Sequence, residues 1–243
     1  MIEVKNLTKK YGKFIALNDI NLEIEKGEIF GLVGPNAAGK STFISILTGL
    51  IKPTGGDIFV KGFSVLKNSS KIKSLLGYVP QDVALYPMLS GLDNLNFWAG
   101  IYGLKGQEKK KRINDVLSIV QLEDRARQKV DEYSGGMKRR LNIAVALIHN
   151  PEIIIMDEPV VGVDVLSKKF ILDALKDLKK SGRTILITSH YINELAELCD
   201  RIALLDRGRI KMSGQVKDIL KHYGTENLEE VMISVFGGYH DEG

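Results

Sequence analysis

The sequence predicts an α/β protein whose core has a mainly parallel sheet, with an N-terminal antiparallel β subdomain and an inserted α-helical subdomain. Three patterns predict this class. Apolar and polar residues alternate at the start of the chain, as in a half-buried strand. Continuous apolar stretches of strand length then alternate with segments of helical periodicity, which favours a parallel sheet covered on both faces. A long charged region with helical spacing interrupts that alternation.

The N-terminal elements are predicted from their alternation. Ile2 and Val4 alternate with polar residues, and Leu22 and Ile24 do the same, which predicts two antiparallel strands. A continuous apolar strand is predicted at residues 28–33, where the chain runs into a glycine-rich loop and then a helix.

The later elements lie on either side of the charged region. Further strands are predicted at residues 57–61, 75–79, 152–156, 184–188 and 201–205, with a helix at residues 168–180. Apolar residues recur at helical spacing over about residues 88–149, which predicts a helical insertion. We expect one domain over residues 1–222 and a C-terminal tail at 223–243, because periodicity is weak after Lys221.

Composition excludes several classes of protein. With 44% hydrophobic and 26% charged residues, the chain resembles an ordinary globular protein, which argues against intrinsic disorder. A formal charge of +4 fits nucleotide binding or an anionic membrane surface but selects neither. Cys199 is the only cysteine, so no internal disulfide can form. Since no stretch approaches the roughly 18 apolar residues of a membrane span, and no signal-peptide core is present, we expect any spans on another chain.

The glycine-rich loop fits the phosphate-binding pattern G-x-x-x-x-G-K-S/T and predicts the core of a P-loop NTPase. Its candidate nucleotide-binding residues are Gly34, Pro35, Asn36, Ala37, Ala38, Gly39, Lys40, Ser41 and Thr42. Backbone N–H groups and a helix N-terminus can surround a triphosphate there, Lys40 can reach the β and γ phosphates, and the Ser41 hydroxyl can bind Mg²⁺. A chance match in a chain of this length is expected about 1% of the time.

Two further motifs point to the same chemistry. An apolar strand ends at Asp157 and Glu158, which could hold Mg²⁺ and polarise the attacking water; a buried strand capped by exposed acids is the alternative. Ser134, Gly135 and Gly136 open a helix and offer backbone N–H groups to an anion. For that segment the alternative is an ordinary loop with a serine N-cap.

These motifs and their order resemble the ABC ATPase family over nearly the whole chain. The matching positions are Tyr11 (adenine-stacking aromatic), Gln81 (Q-loop), Ser134, Gly135 and Gly136 (signature), Asp164 (D-loop) and His190 (switch histidine). The resemblance implies ATP and Mg²⁺ as ligands. It implies that Ser41, Gln81 and Asp157 bind the metal, and that Glu158, His190 and Gln81 are catalytic.

The same resemblance implies partners. A second ABC ATPase subunit, as homodimer or paralogue, would cover the bound ATP with its own signature residues, head to tail. A transmembrane permease subunit would hold the chain at the cytoplasmic, inner face of the cell membrane, and no nucleic-acid partner is expected. Residues 142–147 and 190–202 look most like multidrug or ABC-2-type exporter subunits.

The sequence departs from the family pattern at four positions. Ala37 stands where glycine is usual and costs about 1 kcal/mol if its φ is positive. Tyr133, Met137 and Val163 replace the usual leucine, glutamine and leucine. Because none of these changes removes a phosphate donor or a carboxylate, we expect activity to be retained.

Two other functions are alternatives to transport. A non-transport ABC ATPase of DNA repair or translation typically has a long coiled coil or two cassettes, and this chain has neither. A GTPase would need a base-reading Asn-Lys-x-Asp motif, which is absent. The basic run at residues 109–112 is expected to be a solvated helix face. Phe97 and Trp98 could form either a partner surface or ordinary core.

Overall fold

The computed structural model describes residues 1–190 and 196–237, and the chain divides into two compact units. The first unit comprises Met1–Lys73 and Thr184–Gly243, and the second comprises Ser74–Arg183. Within the described ranges, no helix combines the length and apolar character that crossing a bilayer requires.

The first unit contains most of the strands. Its strands are β1 (Ile2–Tyr11), β2 (Phe14–Ile24), β3 (Ile29–Val33), β4 (Gly55–Val60), β5 (Phe63–Ser64), β8 (Thr184–Ser189), β9 (Arg201–Asp206) and β10 (Arg209–Gln215). Among the described residues, its labelled helices are α1 (Lys40–Leu47), α2 (Ser69–Leu75, which ends in the second unit), α7 (Val216–Tyr223) and α8 (Leu228–Phe236).

The two predicted antiparallel strands, β1 and β2, form a sheet with β4 and β5 in the order β2-β1-β4-β5. Ile2 pairs with Ile24 and Val4 with Leu22, and all four side chains are buried. The alternation seen in the sequence therefore places the apolar side chains of both strands on one face, against the core.

Parallel strands form the other sheet of this unit. β3 lies between β8 and β9 and pairs in parallel with both, while β10 adds an antiparallel edge to β9. Every residue of β3 is buried, as expected for a strand covered on both faces. The carboxyl ends of β3, β8 and β9 share one edge, which is where α/β folds bind ligands.

The second unit is mainly helical. Its strands are β6 (Leu76–Val79) and β7 (Ile153–Asp157), and its α-helices are α3 (Gly91–Ile101), α4 (Gly106–Val120), α5 (Gly135–Leu147) and α6 (Val165–Lys180). Short 3₁₀ turns occur at Glu123–Arg125 and Val130–Glu132. β6 and β7 are parallel, with Val79 opposite Met156. The α/β class predicted from the sequence is confirmed.

Two helices, α7 and α8, follow β10 in the first unit, although periodicity in the sequence is weak after Lys221. Val216 and Ile219 of α7 are buried, and α8 buries Leu228 and Val231. Asn227 caps α8 by accepting a hydrogen bond from the Glu229 N–H. Nine residues of α8 give too short a window for periodicity to predict the helix reliably.

Candidate functional site

The phosphate-binding loop joins β3 to α1 and requires glycine at both of its ends. A Cβ added at Gly34 would collide with the carbonyl oxygen of Leu205. At Gly39 the φ angle is 114°, and a Cβ would lie 2.7 Å from the Ala16 carbonyl oxygen. The backbone is therefore closely surrounded at these positions, and only glycine fits.

Ala37 has a φ angle of 62°, which lies in the left-handed region. The backbone at Ala37 is therefore strained, as expected for a positive φ, and the strain costs about 1–2 kcal/mol relative to an ordinary helical or extended residue. Its side chain is exposed, so no packing contact compensates for the strain.

Lys40 is held against the loop from which it projects. Its side chain is only 6% exposed, and Nζ donates hydrogen bonds to the Gly34 oxygen at 2.6 Å and the Pro35 oxygen at 3.0 Å. α1 begins at this lysine, and Gly39 before it has no side chain to cap the helix. The ammonium charge and the positive end of the helix dipole therefore both attract an anion here. An arrangement of this kind can hold a phosphate anion.

A cavity of about 560 Å³ lies beside this loop, within the first unit. It is lined by Phe14, Ile15, Ala16, Pro35, Asn36, Ala37, Ala38, Asp206, Arg207, Gly208 and Phe236. The volume is typical of a cofactor-sized ligand. The sequence prediction missed Phe14 and the α8 residue Phe236, because no local pattern relates them to the loop.

Tyr11 and His190 both belong to the unit that carries the loop. Tyr11 is the last residue of β1, is 49% exposed and lies opposite Phe14; the Lys9 ammonium is 4.9 Å from its ring centre. His190 directly follows β8, whose last residue pairs with Val33, so it leaves the sheet beside Gly34. Tyr11 is not among the cavity-lining residues.

The acidic pair lies at the end of β7 in the second unit. Asp157 and Glu158 are both buried, and Glu158 has a φ angle of 50°. Gln81 follows β6, the neighbouring parallel strand, so the three side chains leave one edge of this pair. Burial and the negative charge of Asp157 raise the pKa of Tyr78 to about 12.

The signature and D-loop residues contact each other in the second unit. Ser134 caps α5 by accepting a hydrogen bond from the Met137 N–H at 3.2 Å, so the N-cap interpretation of this serine is correct. A Cβ on Gly136 would collide with the Ser167 hydroxyl and lie 2.9 Å from Asp164 Oδ2. Asp164 caps α6, and hydrogen bonds from Ser167 lower its pKa.

Arg139 is a further residue that the sequence prediction missed. It is buried in α5 and binds the backbone that carries Gln81, Asp157 and Glu158. A signal existed in the sequence, because Arg139 falls on the same helix face as Asn142, Ile143 and Ala146, and a charged residue on an apolar face needs a partner.

Comparison with known proteins identifies the family. The ABC transporter sequence profile matches residues 17–161. The linearmycin resistance ATP-binding protein LnrL of Bacillus subtilis is 44% identical over 96% of this chain and 75% of its own length. The Nod factor export ATP-binding protein I of Cupriavidus pinatubonensis is 37% identical over 90% of this chain and 68% of its own length. The probable multidrug ABC transporter ATP-binding protein YbhF of Escherichia coli is 40% identical over 90% of the chain, which spans 38% of that protein.

Solved structures agree with the sequence comparison. The ATP-binding subunit of an ABC transporter superposes with a TM-score of 0.87 and 30% identity, covering 97% of this chain and 99% of that one. A dimeric ATP-binding cassette in a post-hydrolysis state with ADP and Pi superposes with a TM-score of 0.80 and 32% identity, covering 89% and 99%. These matches confirm the predicted fold class and the resemblance to ABC ATPases. The chain belongs to the ABC transporter family, as one of its ATP-binding and ATP-hydrolysing cassettes.

Proposed function

We propose that two such cassettes, either two copies of this chain or this chain and a paralogue, close head to tail around ATP and drive a separate transmembrane permease. The chain then acts from the cytoplasmic side, peripheral to the inner face of the cell membrane, and binds no nucleic acid. The cassette comprises residues 1–222 with the helical insertion at about 88–149, followed by the tail at 223–243. The names of the relatives, linearmycin resistance and Nod factor export, support export as the direction of transport.

One observation carries this proposal: a bare apolar edge next to the signature. Gly136 packs against Asp164. The two residues that follow Asp164 in the chain, Val165 and Leu166, are 80% and 81% exposed. Adjacent exposed aliphatic side chains are typical of a surface that a partner covers. Ser134 opens α5 beside them, where a helix N-terminus attracts an anion. A second cassette presenting its bound ATP to this edge would cover both features.

Each predicted residue takes a role that its chemistry suits. Lys40 and the N-terminus of α1 bind the β and γ phosphates, as the buried ammonium at the loop supports. The carboxylate of Glu158 accepts a proton from the attacking water, and His190 contacts the γ phosphate. The remaining nucleotide contacts come from Tyr11, Gly34, Pro35, Asn36, Ala37, Ala38, Gly39, Ser41 and Thr42, and from Ser134, Gly135, Gly136 and Asp164 of the partner cassette.

Mg²⁺ suits the oxygen groups that the three predicted metal ligands offer. The first unit supplies the Ser41 hydroxyl at the start of α1, and the second supplies the Gln81 amide just after β6 and the Asp157 carboxylate at the end of β7. In residues 1–190 and 196–237, no three His, Cys, Asp or Glu side chains cluster as a metal site. Mg²⁺ suits such a sparse set because it keeps several waters and takes phosphate oxygens as ligands. When bound, it neutralises charge on the phosphates.

The second unit also carries a surface suited to the permease. The side chains of Tyr86, Met88, Phe97 and Ile101 are all more than 40% exposed, and the first of these rings meets Phe97 edge to face at 4.9 Å. They follow Gln81 in the chain or lie on α3. A contiguous apolar surface on the helical region would let the permease sense the state of the Q-loop residue.

Trans-complementation tests the head-to-tail arrangement. Lys40→Ala disables the phosphate loop and Ser134→Arg disables the signature, so each variant alone should lose turnover. Mixing the two should restore about a quarter of wild-type ATPase activity, since random pairing leaves one intact site in half of the dimers.

The matched control combines both changes in one chain and mixes it with wild type. Those mixed dimers contain no intact site, so the double variant should inhibit. Undiminished wild-type activity in the control mixture, or no ATPase activity in the first mixture, would show that loop and signature do not act across an interface.

A separate experiment tests the transport role. The ATPase activity should be stimulated by a co-purified membrane protein and unaffected by DNA.

A further inference from the structure

Arg139 uses all of its hydrogen-bonding capacity on backbone carbonyls of the two candidate catalytic segments. A guanidinium group has five N–H donors. Nη1 donates to the oxygens of Pro80 (2.6 Å) and Gln81 (2.8 Å), Nη2 to those of Asp157 (3.0 Å) and Glu158 (2.7 Å), and Nε to that of Pro159 (2.9 Å). Every partner is a main-chain oxygen.

The pattern of these contacts fixes two particular residues. The carbonyls of Asp157 and Glu158 belong to the peptide planes on either side of the Glu158 Cα atom, so binding both fixes the φ and ψ angles of Glu158. The carbonyls of Pro80 and Gln81 flank the Gln81 Cα atom in the same way. One guanidinium group thus sets the direction in which both side chains leave the backbone.

The backbone at Glu158 needs such support. Its φ angle of 50° is left-handed, a conformation that residues with a side chain rarely adopt. Strained backbone of this kind persists only where surrounding contacts hold it.

The surroundings compensate for the buried charge at this position. Arg139 is only 4% exposed, and burial lowers its pKa, although the charges of Asp157, Asp82 and Glu158 oppose that effect. A buried charge persists only where hydrogen bonds offset its loss of hydration, and the five carbonyl oxygens provide them. One turn further along α5, Asn142 accepts a hydrogen bond from the Ala84 N–H at 3.3 Å, so the helix holds the segment after Gln81 at a second point.

We propose that Arg139 is a positioning residue for hydrolysis, which couples the helix that opens with the signature to the orientation of Gln81 and Glu158. This inference rests on the proposed roles of those two residues. Arg139 acts through these two side chains and uses its donors on backbone oxygens, so it affects turnover and leaves nucleotide affinity almost unchanged.

Arg139→Lys tests this, with Arg140→Lys as the matched control. Arg140 lies on the same helix and donates to the carbonyls of Val120 and Gln121, outside the two catalytic segments. Arg139→Lys should lower kcat by about 100-fold, the scale expected for misplacing a catalytic group by 1 Å, while the Kd for ATP changes less than threefold. Arg140→Lys should leave kcat within about twofold.

A double-mutant cycle separates positioning from a general structural role. In a Glu158→Gln background, Arg139→Lys should lower the residual rate by much less than in the wild type, because one of the two side chains it orients is gone. Equal losses for the two arginine variants, or an undiminished effect in that background, would overturn the assignment.

Two further controls make the test decisive. Arg139→Gln, checked by near-UV circular dichroism, replaces the lysine variant if that one does not fold; loss of the fold in both would show a core-stabilising residue instead. Full turnover by Glu158→Gln alone would refute the proposed function, whatever the arginine variants do.

Discussion

Replacing Ala37 with glycine should stabilise the protein, although the change removes a methyl group. The left-handed φ of 62° costs alanine about 1–2 kcal/mol, which glycine avoids. Glycine lowers the free energy of unfolding by about 0.5–1 kcal/mol, because its unfolded chain has more conformational freedom to lose. Because the alanine side chain is exposed, little burial is lost. The net gain is about 0.5 kcal/mol, or an increase in Tm of about 1–2 °C for a chain of this size.

The neighbouring alanine provides a control of opposite sign. Ala38 is 3% exposed and is not among the residues with positive φ. Ala38→Gly loses a buried methyl group, worth about 0.8 kcal/mol, as well as the chain-entropy term of about 0.5–1 kcal/mol. The free energies of unfolding of the two variants should therefore differ by about 2 kcal/mol.

Urea unfolding of both variants, together with nucleotide titration, measures these effects. The Kd of the Ala37→Gly variant for ATP should stay within about twofold of wild type, because strain common to the free and bound loop cancels. Destabilisation of Ala37→Gly by as much as Ala38→Gly would refute a left-handed conformation at position 37.

Three further predictions concern other parts of the site and its support. Gly136→Ala should lower ATPase turnover about tenfold by overpacking against Asp164 and Ser167, and steady-state assays that find normal turnover would exclude that contact. Phe236→Ala should raise the Kd for ATP about fivefold by removing an aromatic wall of the cavity, as measured with a fluorescent nucleotide; an unchanged Kd would separate this ring from the nucleotide. Burial lowers the pKa of His149 to about 4, so between pH 6.5 and 4 this histidine is protonated in the unfolded chain but neutral in the folded one. The free energy of unfolding should therefore fall by about 1–2 kcal/mol as the pH is lowered from 6.5 to 4, after allowance for the partial exposure of the ring. His149→Gln should flatten that dependence in urea unfolding, and a slope that persists would assign it to other groups.

Local sequence patterns predict much of the fold and of the candidate site. The alternation around Ile2 and Val4 predicted the antiparallel sheet, because a strand has a period of two and buries one face. The loop from Gly34 to Lys40 was predictable for a similar reason: strand, glycine-rich turn and helix are consecutive in the chain, and each has its own residue signature.

Contacts distant in sequence were not predictable. Phe236 lines a cavity with Phe14 from the opposite end of the chain, and no periodicity joins them. Arg139 binds the Gln81 oxygen across 58 residues of sequence. No sequence pattern predicts its partners, because they are backbone oxygens, which every residue has. The left-handed Glu158 was unforeseen as well, because glutamate has no local preference for that conformation.

The ATP-dependent oligomeric state of Glu158→Gln tests the central claim most directly. Two cassettes should hold one γ phosphate from opposite sides until a carboxylate helps water remove it. Size-exclusion chromatography with Mg-ATP should show this variant bound to nucleotide, inactive in hydrolysis and dimeric, and monomeric with ADP. A variant that hydrolyses ATP at the wild-type rate and stays monomeric would contradict both the role of Glu158 and the closure of two cassettes around ATP.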